Sequence, residues 1–245
     1  MLHPAERVLL EVCVEDADGL EAAIAGGADR IELCSALALG GLTPSPGLMR
    51  LAASAPIPVM AMIRPRSGDF QVDAATLDIM KGDIDAAREA GLAGVVFGAS
   101  LADGRLDAET LATLVAHAEG LDLTLHRAFD LVPDLREALE VAIGVGFARV
   151  LTSGGASTAP EAGAVLAKLV EHARGRIVVM PGSGVRAENA GALVRATGAV
   201  EVHASCSVAA PVDARLLGFG FTAPSQRRTS RAAVAALRAA LDGLT

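Results

Sequence analysis

The sequence contains no tryptophan, no tyrosine and only six phenylalanines, so aromatic surfaces are scarce. Proteins that bind single-stranded nucleic acids stack the bases on aromatic side chains and follow the phosphate backbone with a basic groove. The net charge of this chain is −8, and its nearest approach to a basic cluster is the short segment 227–231. We therefore expect no nucleic-acid partner.

Long hydrophobic runs and paired cysteines are also missing. No stretch reaches the roughly 18 uninterrupted apolar residues that a membrane-spanning helix needs. The first residues lack the apolar region of a signal peptide. The three cysteines, Cys13, Cys34 and Cys206, form no C-x-x-C pair and no zinc-finger spacing. These absences predict a cytoplasmic protein without a membrane partner and without structural disulfides.

The apolar residues that are present alternate between short strand-like runs and Ala-rich amphipathic segments. They make up 52% of the chain, which is enough for an extensive core. The predicted strands are residues 9–14, 30–34, 59–64, 94–98, 121–126, 148–152, 177–181 and 200–204. The predicted helices are residues 16–25, 47–53, 74–90, 107–118, 131–145, 160–173, 187–197 and 230–241.

Eight strand–helix units over about 250 residues predict an α/β fold, the (β/α)8 TIM barrel. A doubly wound open sheet is the alternative, but the G-x-G-x-x-G that would follow its first strand is missing. No linker divides the chain, so we expect a single domain over residues 1–245. Residues 211–228 are predicted to form an unusually long loop, which packs under the barrel or contacts a neighbouring subunit.

Two of the predicted strands carry the same Glu-x-Cys pattern. Side chains alternate along a strand, so Glu11 shares a face with Cys13, and Glu32 shares a face with Cys34. TIM barrels form their active sites at the carboxyl ends of the strands. The paired pattern therefore predicts the functional mouth of the barrel.

The same end of the predicted barrel collects most of the other polar residues. Arg64 ends the third strand, Arg66 follows it, and His126 ends the fifth strand. A buried carboxylate without a partner would cost several kcal/mol, so we expect Arg64 or Arg127 to pair with one of the two glutamates. A lone histidine in such a place is usually a hydrogen-bonded core residue. The convergence of these groups at one end favours a functional site.

Two glycine-rich loops follow the sixth and seventh predicted strands. TIM barrels often bind phosphate with backbone N–H groups of such loops, whereas a tight strand–helix turn is the alternative explanation. The candidate anion-binding residues are Arg66, Ser153, Gly154, Gly155, Gly182, Ser183 and Gly184.

Over residues 9–207 the sequence resembles the CutC family of copper homeostasis proteins, because several motifs occur in the same order. These motifs are EVCV, GGADRIELC, GGLTPSPGL, MIRPRSGDF, GVVFG, LHRAFD, RVLTSGGAST, MPGSGV and EVHAS. The departures are small: Ser67 replaces a usual Gly, Val72 a common Tyr, and Cys206 a more usual Ala. The remaining residues 208–245, a loop and a closing helix, lie outside the resemblance.

The resemblance implies a (β/α)8 barrel, a cytoplasmic location and self-association into dimers or larger assemblies such as tetramers. It also implies a role in copper handling, in which Cys13 and Cys34 are the Cu(I) ligands. The chemistry is compatible, because a soft monovalent copper ion prefers thiolates. If the first two strands are neighbours, both thiols can reach one ion.

Two functions stay open at this stage. The first is cytosolic copper homeostasis through Cu(I) binding at Cys13 and Cys34. The second is an enzyme that acts on a small anionic or phosphorylated metabolite by acid–base or metal-assisted chemistry. The candidate catalytic residues are then Glu11, Glu32, Arg64 and His126. A Schiff-base aldolase is excluded because Lys81 and Lys168 both fall in predicted helices, and nothing specific indicates a pure scaffold.

Overall fold

Eight parallel strands form the centre of the molecule. The computed structural model describes residues 7–244, so residues 1–6 and 245 of the predicted domain lie outside the described residues. The strands run in the order β7-β6-β5-β4-β3-β2-β1-β8, and β7 also contacts β8, so that the barrel is nearly closed. The predicted (β/α)8 fold is confirmed. The strands are β1 (Leu9–Val14), β2 (Arg30–Leu33), β3 (Val59–Met62), β4 (Gly94–Phe97), β5 (Asp122–Leu125), β6 (Arg149–Thr152), β7 (Val178–Pro181) and β8 (Glu201–Ala204).

Helices surround the barrel, and several of them begin where a short polar side chain caps them. Asp16, Asp73 and Asp107 accept hydrogen bonds from backbone N–H groups three residues further on. Among residues 7–244, no helix is both long and apolar enough to cross a membrane. The helices that follow the strands are α1 (Ala17–Gly26), α2 (Pro46–Ala52), α3 (Ala74–Ala90), α4 (Ala108–His117), α5 (Leu135–Val145), α6 (Gly163–Ala173) and α7 (Ala187–Thr197).

The main hydrophobic core lies between the strands and the helices. Leu10 and Val12 of β1 belong to it, together with residues from the helices around them. Alternation along each strand sends the remaining side chains into the barrel. There the apolar residues form only a small separate cluster, which consists of Cys34, Met60, Met62 and Val96. Much of the remaining interior is polar.

An ionic network fills the amino-terminal half of the barrel interior. The Arg30 guanidinium donates to the carboxylates of Glu11 and Glu201, and it reaches the Met180 sulfur across the barrel at 3.3 Å. Arg149 completes the network, because its Nε lies 3.3 Å from Glu201 Oε2. Buried ions stabilise a fold only when each is paired and hydrogen-bonded, so this part of the barrel has little freedom to rearrange.

The segment predicted as a long loop is structured. An antiparallel hairpin of β9 (Ser207–Ala210) and β10 (Gln226–Thr229) flanks the short helix α8 (Ala214–Gly218). We call residues 207–229 the C-terminal arm. Because it follows β8 directly and β10 contacts α1, the arm lies at the carboxyl ends of the strands and not under the barrel. The last helix, α9 (Arg231–Asp242), packs against α7 and α1 and completes the ring of helices.

Candidate metal centre

Three side chains from three neighbouring strands meet inside the barrel near the carboxyl ends. Cys13 of β1, Glu32 of β2 and His203 of β8 are all buried, and their potential ligand atoms lie within 4.8 Å of one another. The strand ladders explain this meeting, because Cys13 is the register partner of Glu32, and Glu11 is the partner of His203. We call Cys13, Glu32 and His203 the central cluster. It offers one sulfur, one oxygen and one nitrogen to a metal ion.

The carboxylate of Glu11 orients the histidine of the central cluster. Glu11 Oε1 lies 2.8 Å from His203 Nδ1, and the second carboxylate oxygen of Glu11 accepts from Arg30. His203 Nε2 therefore lies on the side of Glu32, 3.8 Å from Glu32 Oε2. A carboxylate that holds the second ring nitrogen of a histidine is the usual outer partner of a metal-ligating imidazole.

Neighbouring charges oppose the effect of burial on the pKa values of Glu11 and His203. Burial alone would raise the pKa of Glu11, but the charge of Arg30 and the hydrogen bond with His203 lower it to about 2. Burial alone would lower the pKa of His203, but the charges of Glu32 and Cys13 outweigh it and raise this pKa well above 6.5. Without a metal the imidazole therefore carries protons on both nitrogens, and a metal ion would replace the one on Nε2.

Glu32 and Cys34 complete the surroundings of the central cluster. Burial and the charge of Glu11 raise the pKa of Glu32, although the charge of His203 opposes them. Among the described residues, no hydrogen-bond partner reaches the buried Oε1 atom of Glu32. The thiol of Cys34 lies 3.5 Å from Glu32 Oε2, and burial together with the Glu32 charge raises its pKa well above 9. The predicted sharing of faces within each Glu-x-Cys pair is confirmed.

The predicted arginine partners of the two glutamates were wrong. Arg64 donates to backbone carbonyls of the loops, and Arg127 pairs with Asp130 at 2.7 Å. Both arginines lie beyond the strand ends, so their side chains reach the loops and not the barrel interior. Glu11 pairs instead with Arg30, its register partner on the neighbouring strand.

His126 and Arg64 line a neighbouring pocket and do not belong to the central cluster. The ring of Phe70 lies between them, with its centre 5.0 Å from Arg64 Cζ and 4.7 Å from the centre of the His126 ring. His126 packs tightly against the end of β4, where a Cβ on Gly98 would lie 2.5 Å from its Cε1 and Nδ1 atoms. Glycine at position 98 therefore permits this close approach. Arg66 lines the same pocket and pairs with Asp69 at 2.6 Å.

The loop after β6 already uses its N–H groups within the protein. The amides of Ser153 and Gly155 donate to the Asp130 carboxylate, and the amide of Gly154 donates to Thr152 Oγ1 at 2.9 Å. A buried carboxylate of the chain itself thus occupies the position that the sequence assigns to an external anion. Anion binding by Ser153, Gly154 and Gly155 stays a prediction, which these contacts make less favourable.

The loop after β7 is less completely engaged. Gly182 N–H donates to Thr152 O at 2.9 Å, Ser183 Oγ donates to Ser157 O, and the carbonyl of Gly184 accepts from an asparagine side chain of α7. Ser183 and Gly184 both adopt positive φ angles, of 72° and 73°. Anion binding by Gly182, Ser183 and Gly184 also stays a prediction.

Sequence reasoning missed His203 as a site residue. The pattern Glu201-Val202-His203 has the same two-residue period as the Glu-x-Cys strands, and a closed barrel places β8 beside β1. These two signals together could have placed the imidazole next to Glu11.

The fold and this site together define a TIM-barrel protein with a buried Cys–Glu–His cluster suited to a metal ion. The model of the family described as "CutC family" matches residues 8–208. The chain therefore belongs to the CutC family, as the motifs suggested.

Relatives and a solved structure agree with this assignment. A family protein CutC from Sinorhizobium medicae is 64% identical over 239 residues, covering 97% of this chain and 98% of the relative. The copper homeostasis protein cutC homolog of Homo sapiens is 46% identical over 202 residues, covering 82% of this chain and 74% of its own length. The CutC structure from Streptococcus agalactiae has a TM-score of 0.78 at 34% identity, covering 81% of this chain and 98% of that one.

The buried state of His126 predicts a specific dependence of stability on pH. Burial, with a contribution from the Arg64 charge, lowers the pKa of His126 to about 4. Between about pH 6.5 and 4 the unfolded chain therefore binds a proton that the folded chain does not, and the free energy of unfolding falls as the pH falls, by up to ~1.4 kcal/mol per pH unit. Urea denaturation of the wild type and of His126→Gln checks this slope. Equal slopes for the two proteins over this range would contradict the assignment.

Proposed function

We propose that this protein acts in copper homeostasis by binding Cu(I) at the central cluster and Cys34. The observation that supports this most directly is the meeting of buried thiol, imidazole and carboxylate groups from three strands. The name of the human relative, a copper homeostasis protein, supports this role. In this proposal copper is the cargo of the protein.

The donor atoms fit Cu(I). Thiolates are the ligands that a soft monovalent copper ion prefers, and imidazole also suits copper. We therefore assign Cys13, Cys34 and His203 as ligands, with Cys34 reaching the site beside Glu32. The carboxylate of Glu32 is a poorer donor for Cu(I), and we assign it the role of accepting a proton that a ligand releases.

Protons of the empty centre would leave when the ion binds. The raised pKa values of Cys34 and His203 indicate that both groups carry protons that a metal ion must displace. Glu32 Oε1, a buried oxygen without a partner among the described residues, is an atom that a cation or a proton would satisfy. Binding of Cu(I) would therefore release protons from the centre.

An enzymatic function for the same mouth is less well supported. The names of the relatives refer to CutC and copper homeostasis and not to a reaction. Lys81 lies on α3 and Lys168 on α6, so neither lysine reaches the strand ends, as expected. The candidate catalytic roles of Glu11, Glu32, Arg64 and His126 stay predictions.

Removing either proposed thiolate should weaken Cu(I) binding strongly. We expect Cys13→Ser and Cys34→Ser each to lower the Cu(I) affinity by more than ~100-fold, because losing a ligand exceeds the effect of losing an outer partner. His203→Gln should show a similar loss. The measurement is competition for Cu(I) against a colourimetric chelator under anaerobic conditions.

The control for these variants is Cys206→Ser. Cys206 is a partly buried free thiol outside the central cluster, so its replacement should leave the affinity unchanged. The proposal fails if Cys13→Ser and Cys34→Ser both bind Cu(I) as the wild type does. It fails equally if the wild type binds Zn(II) tightly and Cu(I) only weakly.

Glu11 provides a subtler test, because it supports the metal centre without being assigned as a ligand. Glu11→Gln keeps the size of the side chain but removes the charge that holds His203. We expect the Cu(I) affinity to fall by roughly 10–100-fold. Circular dichroism should show that the variant is folded, and the same chelator competition measures the affinity. An affinity equal to that of the wild type would mean that Glu11 serves only the fold.

We also propose that the protein is cytoplasmic. The three cysteines are all free, which suits a reducing compartment.

We further propose that the protein self-associates through the C-terminal arm. Phe219 and Phe221 are 73% and 78% exposed on the arm, and their rings stack with centres 6.1 Å apart. Such an exposed apolar surface is typical of a protein interface, and the implied self-association of the family makes a second copy its proposed partner.

Light scattering tests this role of the arm. The wild type should have the mass of a dimer or a larger assembly, and the double variant Phe219→Ser, Phe221→Ser should shift toward the monomer, because the apolar contact is lost. A matched double variant on an exposed helix surface, Leu51→Ser with Ile79→Ser, should keep the wild-type mass. An unchanged mass for the arm variant, or a monomeric wild type, would contradict the proposal.

A further inference from the structure

A second site lies beside the metal centre, in the pocket formed after β3 and β5. Its walls include Arg64, Arg66, Phe70, Gly98 and His126, and it opens to solvent. We call it the Arg64 pocket.

The charge of Arg64 is buried without a counter-ion. The residue is only 9% exposed, and its guanidinium donates to three backbone oxygens: Leu39 O at 2.8 Å, Gly41 O at 3.1 Å and Gly68 O at 3.0 Å. No carboxylate within residues 7–244 forms an ion pair with Arg64, and its buried Nε has no acceptor in that part of the chain. Carbonyl groups satisfy hydrogen bonds but leave the positive charge unbalanced, and burying an unbalanced charge is unfavourable.

The two other arginines that follow β3 and β5 are already paired. Arg66 pairs with Asp69, and Arg127 pairs with Asp130, in each case at hydrogen-bond distance. Asp130 also receives the amides of the loop after β6, so that loop has its anion built in. Every other buried arginine within residues 7–244 has a carboxylate partner, so Arg64 is the buried arginine whose charge calls for an anion from outside the chain.

The remaining walls of the pocket add a neutral donor and an aromatic face. His126 Nδ1 accepts from the Ala128 N–H at 3.2 Å, which leaves the proton of the neutral ring on Nε2 as a donor. The face of Phe70 lies over the Arg64 guanidinium and stabilises the cation without neutralising it. A buried cation together with a neutral N–H donor is a combination that selects an anionic group.

We propose that the Arg64 pocket binds a small molecule through a carboxylate or phosphate group, which pairs with Arg64 and lies within reach of His126. The proposal concerns a ligand site separate from the metal centre, and it stands whether or not the protein binds copper. It also places the predicted anion site at the loop after β3 in preference to the glycine loops after β6 and β7.

Nuclear magnetic resonance of the whole protein, with its histidines labelled, tests the proposal. Inorganic phosphate and acetate are titrated separately at neutral pH and constant ionic strength, with chloride as the balancing ion. A saturable shift of the His126 ring signals at millimolar anion supports the site. A phosphate response stronger than the acetate response assigns a phosphate ligand, and the reverse assigns a carboxylate ligand.

Variants distinguish charge pairing from a general salt effect. Arg64→Met should weaken the response by at least about tenfold, because the charge-assisted pair is lost. The matched control Arg105→Met removes an exposed arginine that pairs with Asp103 on another loop, and it should respond as the wild type does. If Arg64→Met does not fold, Arg64→Lys is used, which keeps the charge but loses the planar fork, and a weakened response is again expected.

The proposal is overturned if the wild type shows no saturable shift with either anion. It is also overturned if chloride alone produces the same shift, or if the folded Arg64 variant responds as strongly as the wild type. None of these results would affect the copper-binding proposal, which the thiol variants test separately.

Discussion

The ion pair between Glu11 and Arg30 is the interaction on which the interior of this barrel depends. The two residues are register partners on β1 and β2, and both are buried. Arg30 continues the pairing to Glu201, while Glu11 uses its second oxygen to hold His203. One carboxylate thus connects the ionic network of the amino-terminal half to the central cluster of the carboxyl half. Truncating either residue would remove one of the two charged partners of the other, which is unfavourable for a buried charge.

The two glutamates of the neighbouring Glu-x-Cys strands serve different purposes because their surroundings differ. Glu11 has an arginine and a histidine as partners and stays ionised, with a pKa of about 2. Within residues 7–244 no arginine forms an ion pair with Glu32, which lies close to the charge of Glu11 and has a raised pKa. Environments that separate the pKa values of two nearby carboxyls give them distinct properties. Glu11 fixes the geometry, whereas Glu32 is the carboxyl that is more readily protonated.

Much of this could be predicted from the sequence, because alternation along a strand is a strong constraint. It placed each glutamate on the same face as its cysteine, and the eight strand–helix units indicated the barrel. The sequence could not identify Arg30 as the partner of Glu11, because pairing across strands depends on the register, which the sequence of a single strand does not reveal. The same limit concealed His203. The contact between the glycine loop after β6 and Asp130 could not be predicted for a different reason, since Asp130 lies on a separate loop.

The metal centre and the Arg64 pocket share one short segment of backbone. Gly41 has a φ of +87°, and a Cβ at this position would lie 3.1 Å from the sulfur of Cys34, so the turn sits directly on the thiol. Arg64 holds the same turn through the carbonyls of Leu39 and Gly41. An anion that pairs with Arg64 would share its guanidinium with the carbonyl groups of this turn. Any effect of the anion on the affinity of a metal ion for Cys34 would then be matched by an equal effect of the metal ion on anion affinity, because coupling between two binding sites is reciprocal.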